Sequence, residues 1–168
     1  MKRLSFFKFF VSRKLQSRML WIVIFCCGAF SCEDEIRTNI PWAPVSLTLY
    51  LNDIDKKLLN INQPQLYTAQ KPNGHNEQTD RFGYGGILVT NTGAGTGINL
   101  LAYDAACQVE ADRTAVAPDE SGLHAVCPKC GAVYSIVSGG APVSGAKYGL
   151  QRYTVTRGTL TNSFVVTN

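Results

Sequence analysis

The sequence predicts a small all-β domain built from antiparallel strands. Three observations support this fold class: several short segments alternate polar and apolar residues, turns rich in Gly and Pro separate them, and no long amphipathic helix or internal repeat is readable. A chain of 168 residues has the length of one domain with a modest hydrophobic core.

The N-terminal segment has the composition of a targeting signal. Residues 1–18 contain six Lys/Arg and no acidic residue, and residues 19–31 form an apolar run that is short for a membrane span. This pattern predicts a signal peptide over residues 1–31, with an uncleaved membrane anchor as the alternative.

The end of the apolar run, GAFSC, resembles a bacterial lipoprotein signal. The resemblance implies that Cys32 is lipidated and that residues 32–45 tether the domain to a membrane of the bacterial cell envelope. The anchor would lie on the periplasmic side or at the outer-membrane surface. The acidic residues 33–35 resemble the surface-export signals of lipoproteins in the Bacteroidetes group.

The charge distribution does not favour nucleic-acid binding. After Cys32 the chain has ten Lys/Arg against twelve Asp/Glu, a net charge of −2, although the whole sequence carries +4 at pH 7. The basic character therefore belongs to the targeting segment, and we expect no nucleic-acid partner.

The first half of the predicted domain (46–168) mixes one clear strand with less regular segments. Residues 46–52 alternate as a half-buried strand does, and residues 53–67 suit either a short helix or a strand with a turn. Residues 68–86 are polar and rich in glycine, which predicts a loop in which His75 is solvated.

The second half follows a β pattern. Residues 86–92 and 98–106 predict two strands joined by GAGTG, a turn that precedes a strand and therefore does not fit a phosphate-binding loop. Residues 132–137 predict a further strand and residues 139–149 a loop. The alternating segments from residue 150 onward predict the closing strands.

Three cysteines follow the targeting segment and its lipidation site: Cys107, Cys127 and Cys130. The CxxC spacing lets two sulfurs point into one concavity, and thiolates suit zinc and iron–sulfur clusters. A closed tetrahedral site needs four ligands, so Cys107 is the candidate third ligand and Glu110 or His124 the candidate fourth. An odd number of cysteines in an exported chain equally fits one disulfide and a leftover thiol.

The remaining chemistry-bearing residues predict structural roles. No Ser/His/Asp or Cys/His arrangement for nucleophilic catalysis is readable from the sequence. Asp104 and Glu110, which flank the first cysteine, are expected to be solvated loop charges. Tyr134, Tyr148 and Tyr153 are expected to pack the core of the small sheet.

From residue 81 to residue 156 the chain resembles a Rieske iron–sulfur domain. The family pattern is Cys-x-His, a spacer, and Cys-x-x-His-Gly. Here CQV at residue 107 and CPKCG at residue 127 fall on that frame, with seventeen residues between them. The segments GYGGILVTN and LLAYDAAC resemble the strands that enter the domain, and LQRYTV resembles the closing strand.

The resemblance implies a [2Fe–2S] cluster on the cysteine loops, but only part of its ligand set is present. Cys107, Cys127 and Cys130 stand at ligand positions, the last in place of a histidine, whereas Val109 stands where the first histidine belongs. A centre with two Cys and two His ligands therefore cannot form. A modified cluster, zinc, a disulfide and unpaired thiols remain as alternatives.

Two functions correspond to these alternatives. With a cluster, the domain would transfer electrons to a redox partner protein and catalyse no bond chemistry itself, so enzymatic activity is the less favoured expectation. Without a cluster, it would be a structural or binding lipoprotein that has kept the fold and holds zinc or a disulfide in its cysteine loops.

Overall fold

The computed structural model describes residues 39–95 and 97–168. The predicted signal peptide, Cys32 and the first part of the predicted tether lie outside these ranges. The described part contains eleven strands and one 3-10 helix, Lys56–Leu59. No helix in it is long and apolar enough to cross a membrane. The prediction of an all-β fold with antiparallel strands is confirmed.

The strands form two antiparallel sheets. In chain order they are β1 Val45–Tyr50, β2 Gln65–Tyr67, β3 Arg81–Phe82, β4 Ile87–Asn91, β5 Leu100–Asp104, β6 Ala117–Pro118, β7 His124–Val126, β8 Val133–Ser135, β9 Ala141–Ser144, β10 Arg152–Arg157 and β11 Ser163–Thr167. The larger sheet has seven strands in the order β2-β4-β5-β10-β11-β1-β3, and the smaller has four in the order β6-β7-β8-β9.

The central strands β4 and β5 are buried on both faces, which explains why their sequences are apolar runs without alternation. One face of each strand packs into the core of the larger sheet, through Ile87, Val89, Leu100 and Ala102. The opposite face packs into a second core that is shared with the smaller sheet, through Leu88, Leu101 and Tyr103. The two sheets are thus held together by the same pair of strands.

The smaller sheet is a meander whose central hairpin carries the CxxC motif. Ala125 of β7 pairs with Tyr134 of β8, and both side chains are buried in the second core. Cys107 and Cys127 belong to the same buried cluster. Cys107 and Cys127 therefore lie where the second core reaches the end of the smaller sheet.

Several predicted elements differ in detail from the observed ones. The ambiguous segment 53–67 contains both alternatives, because the 3-10 helix Lys56–Leu59 is followed by a turn and by β2. The segment 139–149, predicted as a loop, contains β9. All four residues of β9 are exposed, so this edge strand leaves no apolar pattern in the sequence.

His75 and Asp104 were predicted to be solvated, and both predictions are wrong. The side chain of His75 is only 3% exposed, and its Nε2 lies 3.1 Å from Oδ1 of the fully buried Asp55. Asp104 is fully buried at the end of β5. Tyr134 and Tyr153 are core residues as predicted, whereas Tyr148 is only partly buried.

Candidate metal centre

The first cysteine loop, residues 107–114, leaves the second core directly after β5. Its base is closed by backbone pairing: Ala106 faces Ala115 in an isolated bridge, and the N–H of Cys107 donates to the carbonyl of Thr114 at 2.9 Å. The side chain of Cys107 is fully buried at this base. The position of its sulfur is therefore fixed by a paired backbone and by core packing.

Asp104 anchors the chain just before this loop. Its carboxylate accepts hydrogen bonds from the backbone N–H groups of Tyr84 (2.8 Å), Gly85 (3.0 Å) and Ala106 (2.8 Å), and from the hydroxyl of Tyr153. Gly85 is required here, because a Cβ at that position would lie 2.4 Å from the backbone nitrogen of Ala106. Four donors satisfy the buried charge and hold the start of the loop.

The second cysteine loop, residues 127–132, is the turn between β7 and β8. The N–H of Cys127 donates to the carbonyl of Ala132 at 2.9 Å, and the N–H of Gly131 donates to the carbonyl of Cys127 at 3.0 Å. Gly131 has a φ of +73°, the left-handed conformation that glycine adopts without strain. Cys127 is buried at the base of the turn, and Cys130 is exposed at its outer side.

The two loops bring the three predicted ligands together. The Sγ atoms of Cys107, Cys127 and Cys130 all lie within 4.8 Å of one another, and the Sγ atoms of Cys107 and Cys130 are 3.6 Å apart. All three cysteines are free thiols in this structure. A group of three sulfurs at these separations could bind a metal ion.

The surroundings of Cys107 stabilise its thiolate. Burial raises the pKa of this thiol, but hydrogen bonds from the backbone of Val109, the hydroxyl of Tyr134 and the backbone of Glu110 lower it, so that the pKa lies below its ordinary value. The hydroxyl of Tyr134 lies 3.6 Å from the sulfur and accepts a hydrogen bond from the N–H of Gln108 at 3.1 Å. Thiolates are the metal-binding form of cysteine.

Cys130 differs from Cys107 in exposure and in acidity. A hydrogen bond from the backbone of Ala132 lowers the pKa of its thiol, but desolvation and the neighbouring sulfurs of Cys127 and Cys107 raise that pKa to about 11. Of these two thiols, the buried Cys107 therefore loses its proton more readily than the exposed Cys130. A bound cation would offset the repulsion between neighbouring thiolates.

The two candidate fourth ligands lie outside the three-sulfur group. The Oε2 atom of Glu110 lies 2.6 Å from Nζ of Lys129. The Nδ1 atom of His124 lies 3.3 Å from a carboxylate oxygen of Asp119. Each of these side chains is thus engaged with another partner. Among the described residues, the only group of metal-ligating side chains that contains the cysteines is the three-sulfur group itself.

Sequence reasoning missed the ion pairs that join the two cysteine loops. Lys129, between the two cysteines of the CxxC motif, reaches across to Glu110 and also to Asp112, at 3.1 Å. These contacts raise the pKa of Lys129 above its ordinary value, with the hydrogen bond to Glu110 as the largest cause. A lysine inside a CxxC motif, opposite an acidic loop, is the signal that could have indicated this pairing.

Comparisons with known proteins do not assign this chain to a family. No protein-family model matches the chain. No curated protein matches it either. The function is therefore inferred from the cysteine site and from the features of the sequence.

Proposed function

We propose that this protein is a lipid-anchored domain of the bacterial cell envelope that resembles Rieske domains in fold and holds one thiolate-preferring metal ion, zinc in the first instance. The observation that carries the proposal is the mutual closeness of three sulfurs from two separate loops, all within 4.8 Å of one another. Two of the three are buried, so their positions are set by the core rather than by solvent.

The sulfur separations support a single ion. In a tetrahedral site with Zn–S bonds of about 2.3 Å, sulfurs lie about 3.8 Å apart. The 3.6 Å between the sulfurs of Cys107 and Cys130 is close to that value. The sulfurs now lie within 4.8 Å of one another, so reaching the spacing of a zinc site requires the sulfur atoms to shift by about 1 Å.

The residues do not fit the two-iron cluster of the Rieske pattern. That pattern assigns Cys107 and Cys130 to different irons, and ligands of different irons lie further apart than two ligands of one ion. The position of the first histidine is held by Val109, whose side chain offers no donor atom and is 48% exposed. We therefore derive no electron-transfer step for this chain.

A bound ion would link the two cysteine loops and stabilise the folded chain. Because the sulfurs come from separate segments, a site for the ion forms only when the second core is folded, so part of the binding free energy becomes folding free energy. In an exported domain with a modest core, stabilising the folded chain is a sufficient structural role for the ion.

Metal content is the decisive measurement. The full-length protein, purified in detergent under anaerobic conditions from cells supplied with zinc, iron and sulfide, should contain about one zinc per chain. Cys107→Ser should abolish stoichiometric binding, whereas Val109→Ala should leave it unchanged. About two irons with acid-labile sulfide and a visible charge-transfer band would replace this proposal with a variant cluster. Metal-free protein would leave only a structural or binding lipoprotein.

The membrane anchor needs a separate test. We expect the mature chain to begin at a lipidated Cys32, and mass spectrometry of its N-terminal peptide should show the added acyl mass. Cys32→Ser should move the protein out of the membrane fraction without changing its zinc content. An unmodified Cys32, or a Cys32→Ser protein that stays membrane-bound, would contradict the lipoprotein part of the proposal.

A further inference from the structure

We propose that the metal ion keeps its fourth coordination position open and accepts there a neutral imidazole ligand from outside the chain. This inference rests on the proposed function, because it concerns the same three-sulfur site. It assigns to that site an exchangeable ligand and the chemical class of that ligand.

Within residues 39–95 and 97–168, the site has fewer protein ligands than the four of a closed tetrahedral site. Cys107, Cys127 and Cys130 supply three donors, and no other His, Cys, Asp or Glu of these residues belongs to their group. Glu110 would have to give up its 2.6 Å contact with Lys129 before it could reach a metal ion. Three protein ligands with one position left over is the arrangement of zinc sites that exchange a ligand.

The three-sulfur group is accessible from solvent on one side. Cys107 and Cys127 are buried, whereas Cys130 is exposed, so solvent reaches the three-sulfur group from the side of Cys130. Next to it, a Cβ built on Gly131 would meet no atom within 4 Å. Val109, 48% exposed, precedes Glu110 in the opposite loop. An incoming side chain would therefore meet open space.

The charges around the site favour a neutral fourth ligand. Three thiolates around a divalent cation carry a net charge of −1. The adjacent carboxylates of Glu110 and Asp112 share the single ammonium of Lys129, at 2.6 and 3.1 Å, which leaves a further charge of −1 beside the site. Like charges repel a fourth thiolate or carboxylate, whereas a neutral imidazole adds no charge and completes a Cys₃His set.

The test uses Co²⁺ as a spectroscopic substitute for zinc in the full-length protein under anaerobic conditions. Cobalt–thiolate charge-transfer bands should appear at about one Co²⁺ per chain. Imidazole should then shift the visible cobalt bands in a saturable way, with an affinity at least about tenfold higher than that of 2-mercaptoethanol at neutral pH. Apoprotein titrated with imidazole is the blank.

The outcomes separate this inference from the proposed function. If no cobalt–thiolate band forms, the proposed metal site itself fails. If the band forms but imidazole leaves the spectrum unchanged, the site is closed and only the present inference fails. Tighter binding of 2-mercaptoethanol than of imidazole would overturn the assignment of a neutral nitrogen ligand.

A pair of variants tests why the position stays open. Lys129→Met releases the carboxylate of Glu110, which can then turn to the metal, so the imidazole response should weaken several-fold. In the double variant Lys129→Met/Glu110→Gln, the response of the cobalt spectrum to imidazole should return to that of the wild type. If Glu110→Gln alone changes the cobalt spectrum before imidazole is added, Glu110 is already the fourth ligand and the inference is wrong.

Dilution tests whether a second copy of this chain supplies the imidazole. His124 is 38% exposed in its side chain and could serve a second copy of this chain. In that case the cobalt spectrum should depend on protein concentration, and His124→Ala should remove the dependence. A spectrum independent of concentration, with the imidazole response intact, excludes a second copy of this chain as the source of the imidazole.

Discussion

At the scale of single residues, the sulfurs of Cys107 and Cys130 make a cross-loop contact of 3.6 Å. A disulfide needs about 2.05 Å, so a small movement of the exposed Cys130 would allow the bond. We expect oxidised glutathione, which accepts two electrons and leaves as two thiols, to join these two cysteines in the metal-free protein. A link across two loops also constrains the unfolded chain more than one within CxxC.

Peptide mapping after alkylation checks this pairing. The expected products are a disulfide-linked pair of peptides containing Cys107 and Cys130, with Cys127 alkylated. Zinc-loaded protein should resist the same treatment, because its sulfurs are engaged with the ion. A disulfide between Cys127 and Cys130 would show that the turn, and not the contact between loops, decides the oxidation product.

Asp104 gives a second prediction at this scale. All four of its partners are donors, so the amide nitrogen of Asp104→Asn would face at least one donor whichever way the amide is oriented. We expect this variant to lose about 3 kcal/mol of unfolding free energy in guanidinium titrations, and its metal affinity to fall because the first cysteine loop shifts.

Tyr153→Phe is the matched comparison for Asp104→Asn. It removes one hydrogen bond to the same carboxylate and leaves the three backbone donors in place. Its expected cost is about 1.5 kcal/mol, with metal affinity nearly unchanged. Equal costs for the two variants would mean that the backbone donors do not hold the loop.

The three cysteines and the two residues wrongly predicted to be solvated, His75 and Asp104, show what a sequence reveals about single residues. Cys107, Cys127 and Cys130 could be predicted as a group because two of them form a CxxC motif and thiolates suit metal ions. Asp104 and His75 could not, because a carboxylate or imidazole among polar neighbours has the pattern of a solvated side chain. Their burial depends on donors and acceptors about twenty residues away, which only the fold brings near.

At the scale of elements, strands that contribute to a core were predictable and strands at an edge were not. β4 and β5 correspond to the predicted segments 86–92 and 98–106, since burial on both faces leaves unbroken apolar runs. The exposed edge strand β9 and the two-residue strand β3 were placed in loops. Their pairing is specified by the neighbouring strand rather than by their own residues.

The segment from Thr68 to Asp80 is held to the larger sheet by His75. The buried carboxylate of Asp55 accepts hydrogen bonds from the hydroxyl of Tyr67 at 2.6 Å and the N–H of Tyr50 at 2.7 Å, and faces Nε2 of His75 at 3.1 Å. His75→Ala should cost about 3 kcal/mol of unfolding free energy, because it leaves a buried charge without one of its partners.

Limited proteolysis measures the local part of this effect. We expect His75→Ala to be cut within residues 68–80 much faster than the wild type, and His75→Gln to be intermediate because its amide can donate to Asp55. Unchanged cleavage together with an unchanged unfolding free energy would show that the segment is held by its backbone contacts alone.

At the scale of the whole molecule, both cores depend on buried tyrosines. Burial is the largest cause that raises the pKa of Tyr67, Tyr134 and Tyr153, and it also raises that of Tyr103, to about 12. The hydroxyl of Tyr103 donates to the carbonyl of Ile136 at 3.0 Å, a contact within the second core. The fold therefore holds these four hydroxyls in the neutral form.

The pH dependence of stability follows from these shifts. A tyrosine titrates near pH 10.0 in the unfolded chain and at a higher pH in the folded chain, so its contribution to stability is complete below pH 10.0 and is lost as the pH rises toward the folded value. For Tyr103 the loss should occur between pH 10.0 and about 12. Each such tyrosine contributes at most about 1.4 kcal/mol per pH unit to the decline in unfolding free energy.

Guanidinium titrations of the wild type and of Tyr103→Phe from pH 8 to pH 12 isolate this contribution, because all other titrating groups are common to both chains. The variant should be less stable than the wild type at pH 8, where it lacks the hydrogen bond to Ile136. The difference should shrink above pH 10.0, since only the wild type loses the contribution of this hydroxyl. Parallel curves up to pH 12 would mean that Tyr103 ionises as readily in the folded chain as in the unfolded one, so the second core would have to be accessible to water.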